Sequence, residues 1–340
     1  MTKEELQEWF KLTEQNRQNI FLEISKKMTL PPAAIEKDWW VVRTLQLVFQ
    51  TAIAEHTVFK GGTSLSKAWN LIDRFSEDID LALDRKFLGF EKEDLEMSGS
   101  QVRKLREQSL KYISSTYFPL LQKTFHDAGF TGVKLQLSEI KSKDEDPVKI
   151  EVSYPTVTEK SEYLPPRVLV EIGSRSLIEP FTDKMFSSFV GEHFKGRSFA
   201  DNSISIPTVN PERTFLEKIF LLHEEYQKPA GKIKVDRLSR HLYDIEKMMD
   251  TEFAEKALAD KNLYQHIVTH RRTITPLRGI DYANHAPDKI NPIPADNIVA
   301  AWKKDYEQMQ QSMIYRESLP FDKLLERLNN LKSRINQLSF

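Results

Sequence analysis

Asp78 and Asp80 stand two apart in the run Asp78-Ile79-Asp80-Leu81-Ala82-Leu83, the strongest chemical signal in the chain. The run is β-prone, and successive side chains of a strand point to opposite faces. Both carboxylates therefore share one face, roughly 7 Å apart along the backbone. Like charges that close repel unless a cation lies between them, and hard divalent ions such as Mg²⁺ or Mn²⁺ take oxygen ligands of this kind. Upstream, the short β-prone run Thr57-Val58-Phe59 leads into Gly61-Gly62-Thr63-Ser64, after which Leu65, Trp69 and Ile72 recur at helical spacing. The pattern predicts a strand, a tight turn and a helix from Thr63 to Ile72. A glycine turn that enters a helix lets backbone N–H groups approach an anion, and the helix start adds partial positive charge. Thr63 and Ser64 place hydroxyls at the same point. Phosphate beside paired carboxylates implies a metal-bound nucleoside triphosphate (NTP). The stretch is neither a Walker A loop nor a dinucleotide fingerprint, because the Lys-Ser/Thr ending and the G-x-G-x-x-G spacing are absent.

Several elements must position these groups. Before them, Leu6, Trp9, Phe10, Ile20, Phe21 and Ile24 allow one or two amphipathic helices. Leu30-Pro31-Pro32 interrupts these, and a second helix is expected from Ala33 to Phe49, with Trp39 and Trp40 packed in the core. Lys37 and Asp38 lie between surface and site readings and receive no catalytic role. After the motif, Val102 through Phe125 marks a long amphipathic helix ending near Gly129, expected to cover one sheet face. Three strands are expected at 133–137, 148–153 and 167–172. In the last, Val168, Val170 and Ile172 share one face while Leu169 and Glu171 share the other. Residues 174–208 read as a connecting segment with short elements. From Pro211 the chain turns mostly helical, with helices expected at 211–227, 236–250, 252–270, 295–315 and 320–338. The run from Asn284 to Pro294 reads as an exposed linker.

The chain has 340 residues, 40% hydrophobic and 29% charged, with a formal charge of −1 and no cysteine. That composition suits a globular protein of two lobes, which we divide at 1–208 and 209–340. Disulfides and thiolate zinc sites are excluded. The N-terminal MTKEELQEWF is acidic rather than apolar, and no run approaches a membrane span, so a cytoplasmic protein is the expectation.

Other residues have chemical potential. Lys218 is crowded by Phe215, Leu216, Ile219, Phe220, Leu221 and Leu222, so it must snorkel or meet a negative partner. Arg237, Arg240, Asp244 and Lys247 are spaced to share one helical stripe. His223 and His241 read as structural histidines. His266, His270, Arg271, Arg272 and Arg278, with Lys195 and Arg197, form basic clusters that suit a nucleic-acid backbone or plain solvated surface.

Gly61-Gly62-Thr63-Ser64 followed by Ser76-x-Asp78-x-Asp80 resembles the signature of the nucleotidyltransferase superfamily that includes DNA polymerase β. With Ile35 to Trp40, Arg213 to Lys218 and Ser239 to Asp244, the ordered set resembles the AbiEii toxin family over residues 30 to 250. The resemblance implies an α+β fold: a polymerase-β-like domain, a mixed sheet flanked by helices, followed by a mostly helical domain that completes the active-site cleft. It implies Glu171 as a third metal ligand beside Asp78 and Asp80, with Glu151 the rival. It implies that Lys218 contacts the triphosphate, that Asp244 holds Lys218 or the nucleotide, and that Arg240 binds phosphate. Lys67 and Ser76 join Gly61, Gly62, Thr63 and Ser64 as nucleotide-binding residues. The activity implied is Mg²⁺-dependent transfer of NMP from an NTP to an acceptor, RNA and in particular the acceptor end of tRNA. The context implied is an abortive-infection phage-defence pair whose cognate antitoxin restrains the toxin. A protein or small-molecule acceptor, or a non-catalytic nucleotide-binding module, are the alternatives.

Overall fold

The computed structural model describes residues 3–159, 164–176, 178 and 180–340. The chain divides into two compact units. The first comprises Met1–Asn70, Phe75–Glu91 and Ser100–Val209, and the second Leu71–Arg74, Lys92–Gly99 and Asn210–Phe340.

The first unit opens with helices α1 (Lys3–Lys11), α2 (Glu14–Met28) and α3 (Pro32–Val48), then β1 (Thr57–Lys60), α4 (Gly61–Lys67) and β2 (Asp78–Leu83). Helices α5 (Gly99–Tyr112) and α6 (Phe118–Asp127) follow, joined through a wider π-type turn at Ile113–Tyr117. The unit closes with β3 (Lys134–Leu137), β4 (Val148–Ser153), β5 (Arg167–Gly173), β6 (Phe181–Phe186), α7 (Phe189–His193) and β7 (Ile204–Val209). Among the described residues the strands form one seven-stranded sheet in the order β3-β4-β5-β2-β1-β7-β6. It is mixed: β2 runs antiparallel to β1 and parallel to β5. An α+β fold is thus established.

Side chains of β2, β4 and β5 alternate between an apolar and a polar face over most of their length. Ile79, Leu81, Val168, Val170, Ile172, Ile150 and Val152 are buried on one face, while Asp78, Asp80, Glu171, Lys149 and Glu151 are half-buried on the other. The apolar face packs against α3, on which α2 and α6 pack in turn. Helix α3 starts at a proline, whose fixed φ suits a helix start. Nearly every one of its side chains is buried, including Glu36, Lys37, Asp38 and Arg43. Trp39 stacks on Trp9 with ring centroids 4.8 Å apart, and Trp40 stacks on Tyr154 at the same distance, so both indoles serve the core as expected.

Two sequence expectations need correction in this unit. The helix after the glycines ends at Lys67, because Asn70 adopts φ +53 and turns the chain; Trp69 instead donates Nε1 to the Val209 carbonyl at 3.1 Å. Residues 174–208 are not mere connection. They supply β6 and β7, and β7 pairs with β1 inside the sheet. The expected helix through Val102 and Phe125 is present without a break, α5 passing through the π-type turn into α6.

The second unit is helical: α8 (Pro211–Tyr226), α9 (Ser239–Met248), α10 (Glu252–Ala259), α11 (Lys261–Thr273), α12 (Asp296–Ser312) and α13 (Phe321–Asn336). Helix α8 packs against α9, α10 and α11, and α9 against α12 and α13. The single helix expected over 252–270 is two, parted at Asp260, whose carboxylate caps α11 by accepting from the Leu263 N–H. The run from Asn284 to Pro294 is not an exposed linker. His285 and Ile290 are 1% exposed, and the His285 ring stacks on Phe220 while its Nε2 meets the Glu224 carboxylate at 3.0 Å.

Candidate functional site

In the first unit the strand, turn and helix around Gly61 form a tight knot. Gly61 has φ +81, a conformation disfavoured for side-chain-bearing residues, and a Cβ there would lie 2.0 Å from the Asp80 Oδ2 atom. The turn thus presses its backbone onto the Asp80 carboxylate. Thr63 Oγ1 donates to the Asp78 carbonyl and lies 2.9 Å from Ser76 Oγ, while Ser64 Oγ donates to the Gly61 carbonyl at 2.9 Å. Both hydroxyls, expected at the phosphate, lie buried inside the knot, where they lock α4 to the start of β2.

Register settles the neighbours of the acidic pair. Asp80 stands opposite Lys60 on β1 and opposite Glu171 on β5, and Asp78 opposite Leu169. Directly paired residues point to the same side of a sheet, so Asp78, Asp80 and Glu171 share the polar face. Glu151 lies on that face too, but one strand further out on β4, opposite Leu169, with Arg167 Nη1 at 2.8 Å. Glu171 is ion-paired with Lys149. Among the described residues no three carboxylates or imidazoles are gathered closely enough to hold a metal ion. The donor chemistry nevertheless fits a hard divalent cation at Asp78 and Asp80, with Glu171 joining if it exchanges its Lys149 partner for the ion.

Lys67, expected at the phosphates, is buried. Its Nζ lies 3.0 Å from Asp38 Oδ1, 3.3 Å from Glu192 Oε1 and 4.0 Å from the centre of the Phe189 ring. Burial pulls its pKa down, but the two carboxylates overcome this and hold the ammonium above its usual range. Asp38 also accepts the Phe189 backbone N–H at 2.7 Å. Lys37, buried likewise, pairs with Glu77 and donates to the Pro165 carbonyl at 3.0 Å. These charges of α3 tie the helix to α4, α7 and the entry of β2.

In the second unit α8 presents Lys218 to α9. Lys218 Nζ lies 2.9 Å from Asp244 Oδ2, and Asp244 is wholly buried. A residue missed in the sequence completes this pair: Arg74 Nε and Nη2 donate to the two Asp244 oxygens at 2.6 and 2.8 Å. Burial alone would push the Asp244 carboxyl up, but the two cations hold it well below the usual carboxylate range. Burial lowers the Lys218 ammonium despite Asp244. His241 Nδ1 is 3.4 Å from Lys218 Nζ, and burial with the surrounding cations keeps the imidazole neutral. Arg240 is half-buried on the same helix. The expected stripe from Arg237 to Lys247 is interrupted: Arg237 precedes α9 at φ +57, and Asp305 accepts its backbone N–H at 2.8 Å. His223 is structural as expected, its Nδ1 accepting the Asn291 N–H at 3.0 Å and its pKa lowered by burial to about 4. The basic cluster on α11 is partly committed internally, His270 to Asp94 at 2.7 Å and Arg271 to Glu224.

The first unit thus carries two carboxylates beside a glycine turn, and the second a buried lysine held by an aspartate. A sequence model of the nucleotidyl transferase AbiEii toxins of type IV toxin–antitoxin systems matches residues 45–327. The chain belongs to the AbiEii family. AbiEii membership makes it a nucleotidyltransferase toxin, with an NTP as substrate and an antitoxin as partner. Among solved structures it is similar to MenT4, a nucleotidyltransferase toxin from Mycobacterium tuberculosis H37Rv, at 19% identity over 96% of this chain and 98% of that one, with a TM-score of 0.43. No curated protein matches. Among the described residues no helix is long and apolar enough to cross a membrane.

Proposed function

We propose that this AbiEii protein transfers a nucleoside monophosphate from an NTP to a hydroxyl of RNA, at the acceptor end of tRNA, in a Mg²⁺-dependent reaction that disables the host during phage infection until the antitoxin intervenes. The observation that supports this best is the apposition of Gly61 and Asp80, which puts backbone able to approach a polyphosphate directly against a carboxylate able to hold its counter-ion. Asp78 and Asp80, with Glu171 the third ligand, would hold the metal. That ion supplies charge neutralisation on the triphosphate and a lower pKa for the acceptor hydroxyl.

The chain's own residues do the rest. Backbone groups of Gly61 and Gly62 bind phosphate oxygens, and Thr63, Ser64 and Ser76 keep that turn fixed on β2. The acceptor oxygen forms a bond to the α-phosphorus while the bond from that phosphorus to the bridging oxygen of the β-phosphate breaks. The hydroxyl proton passes to the Asp80 carboxylate, and pyrophosphate leaves with its charge balanced by Lys218 and Arg240. Asp244 holds Lys218. Lys67 acts on the nucleotide by anchoring α4 to Asp38.

The test is incubation of the purified protein with each α-labelled NTP, Mg²⁺ and purified tRNA, read by gel. Label transferred to tRNA by the wild type and lost in Asp80→Ala supports the proposal. Label transferred only to protein or to small molecules overturns the RNA acceptor.

A further inference from the structure

We infer that Arg74 is a positioning residue of the nucleotidyl transfer: by gripping both oxygens of Asp244 it fixes the carboxylate against which Lys218 is oriented toward the triphosphate. The inference rests on the reading of Lys218 as the triphosphate's cation and extends it to a residue with no assigned role.

Arg74 is 2% exposed and Asp244 is fully enclosed. The two N–H···O contacts from Nε and Nη2 make the two-pronged guanidinium–carboxylate grip, which fixes the plane of the carboxylate as well as its position. A lysine in place of Arg74 supplies the charge but not the fork. Lys218 approaches Asp244 Oδ2, the oxygen that also receives Arg74 Nη2, so the direction from which its ammonium can meet that oxygen is set by the guanidinium. An ammonium has three N–H donors. Asp244 Oδ2 takes one and the Nδ1 lone pair of neutral His241 takes a second, leaving one for a ligand. Without the grip, Asp244 is free to rotate about its side-chain bonds, and the ammonium follows it.

Arg74 comes from Leu71–Arg74, the short stretch that belongs to the helical unit although the residues before and after it belong to the sheet unit. Its backbone is pinned independently of the side chain, by a β-bridge to Ile314 and by the Tyr315 N–H donating to the Asp73 carbonyl at 3.1 Å. The guanidinium is therefore delivered from a fixed base.

A residue that acts through another must lose its effect when the other is gone, which a double-mutant cycle reads directly. KM for NTP and kcat are measured for Arg74→Met, Lys218→Ala and the double variant, with thermal unfolding as the fold check. The expected result is a rise in KM of about tenfold for Arg74→Met, with a smaller change in kcat, and no further rise when Arg74→Met is added to Lys218→Ala. Arg74→Lys, which preserves the buried charge, is the companion variant should the methionine form not fold; it is expected to raise KM several-fold, again only when Lys218 is present. Equal effects in both backgrounds, or an unchanged KM in the folded Arg74 variants, overturn the inference while leaving the role of Lys218 standing. An unchanged KM in Lys218→Ala overturns the parent reading and this one with it.

Discussion

Gly61 lies so close against Asp80 that a Cβ on the glycine would sit 2.0 Å from the Asp80 Oδ2 atom. Backbone and carboxylate are in effect one unit, and neither can change without moving the other. Gly61→Ala is therefore expected to displace the Asp80 side chain as well as to strain a backbone at φ +81, which costs a residue with a side chain about 1–2 kcal/mol. Transfer should fall by about a hundredfold or more, the equivalent of about 3 kcal/mol of barrier, with a much smaller loss of stability. Kinetics with α-labelled NTP set against the unfolding midpoint checks the disproportion.

Asp80→Ala is expected to abolish transfer and to leave the fold intact. Asp78 and Glu171 share its sheet face, so removing one of several acids relieves repulsion in the metal-free protein. The midpoint of thermal unfolding without metal should stay level or rise, and the stabilisation given by added Mg²⁺ or Mn²⁺ should vanish. Full transfer activity in this variant would contradict the assignment.

Lys218 gives a pH dependence with a definite sign. Burial lowers its pKa from 10.5, so on raising the pH its charge is lost earlier than that of an ordinary lysine. Affinity for the triphosphate should decline along with it, and Lys218→Arg, charged throughout, should remove that alkaline limb. Lys218→Ala should weaken NTP binding by about 10- to 100-fold, as expected for a lost hydrogen bond to a charged group, and nucleoside binding far less. Calorimetric titrations with both ligands across pH supply the comparison.

Asp244 is held below the usual carboxylate range by Arg74 and Lys218, against the effect of its burial. A depressed carboxyl contributes stability that is fully present above its unfolded value of about 3.9 and is lost as the pH falls through the folded one. Asp244→Asn, which takes a buried negative charge away from Arg74 and Lys218, should cost about 3–5 kcal/mol at pH 7 and less below pH 4. Denaturant unfolding at the two pH values measures the difference.

Lys67→Met removes the ammonium from Asp38, a carboxyl that burial already pushes up to about 6. The folded pKa then climbs further above the unfolded one, and a raised carboxyl loses stability as the pH rises through it. The variant should be less stable by about 3–5 kcal/mol at pH 8 and recover in part at pH 5. A direct phosphate contact would instead raise the KM for NTP at unchanged stability, so the two measurements together separate anchor from ligand.

Much of the site was legible because its signals are local. Period-two alternation put Asp78 and Asp80 on one face, and Gly61-Gly62 marked a turn that only glycine tolerates at that φ. Strands β4 and β5 followed from the same alternation. Strands β6 and β7 escaped notice, since Phe181 to Phe186 is largely exposed and Pro207 breaks the pattern of β7. Helix α4 was drawn too long because helical spacing at Trp69 and Ile72 is equally compatible with a loop whose apolar residues turn inward.

The sequence by itself determined the chemistry on offer: paired acids on a strand, a glycine turn before them, a lysine among apolar neighbours, and the family these compose. Only the tertiary structure decided how the charges are shared. It gave Lys67 to Asp38, Lys149 to Glu171, and Arg74, 170 positions away along the chain, to Asp244. Secondary structure is dictated by neighbours in sequence, whereas a buried charge needs a counter-charge wherever the fold brings one, and that choice leaves no periodic trace in the chain.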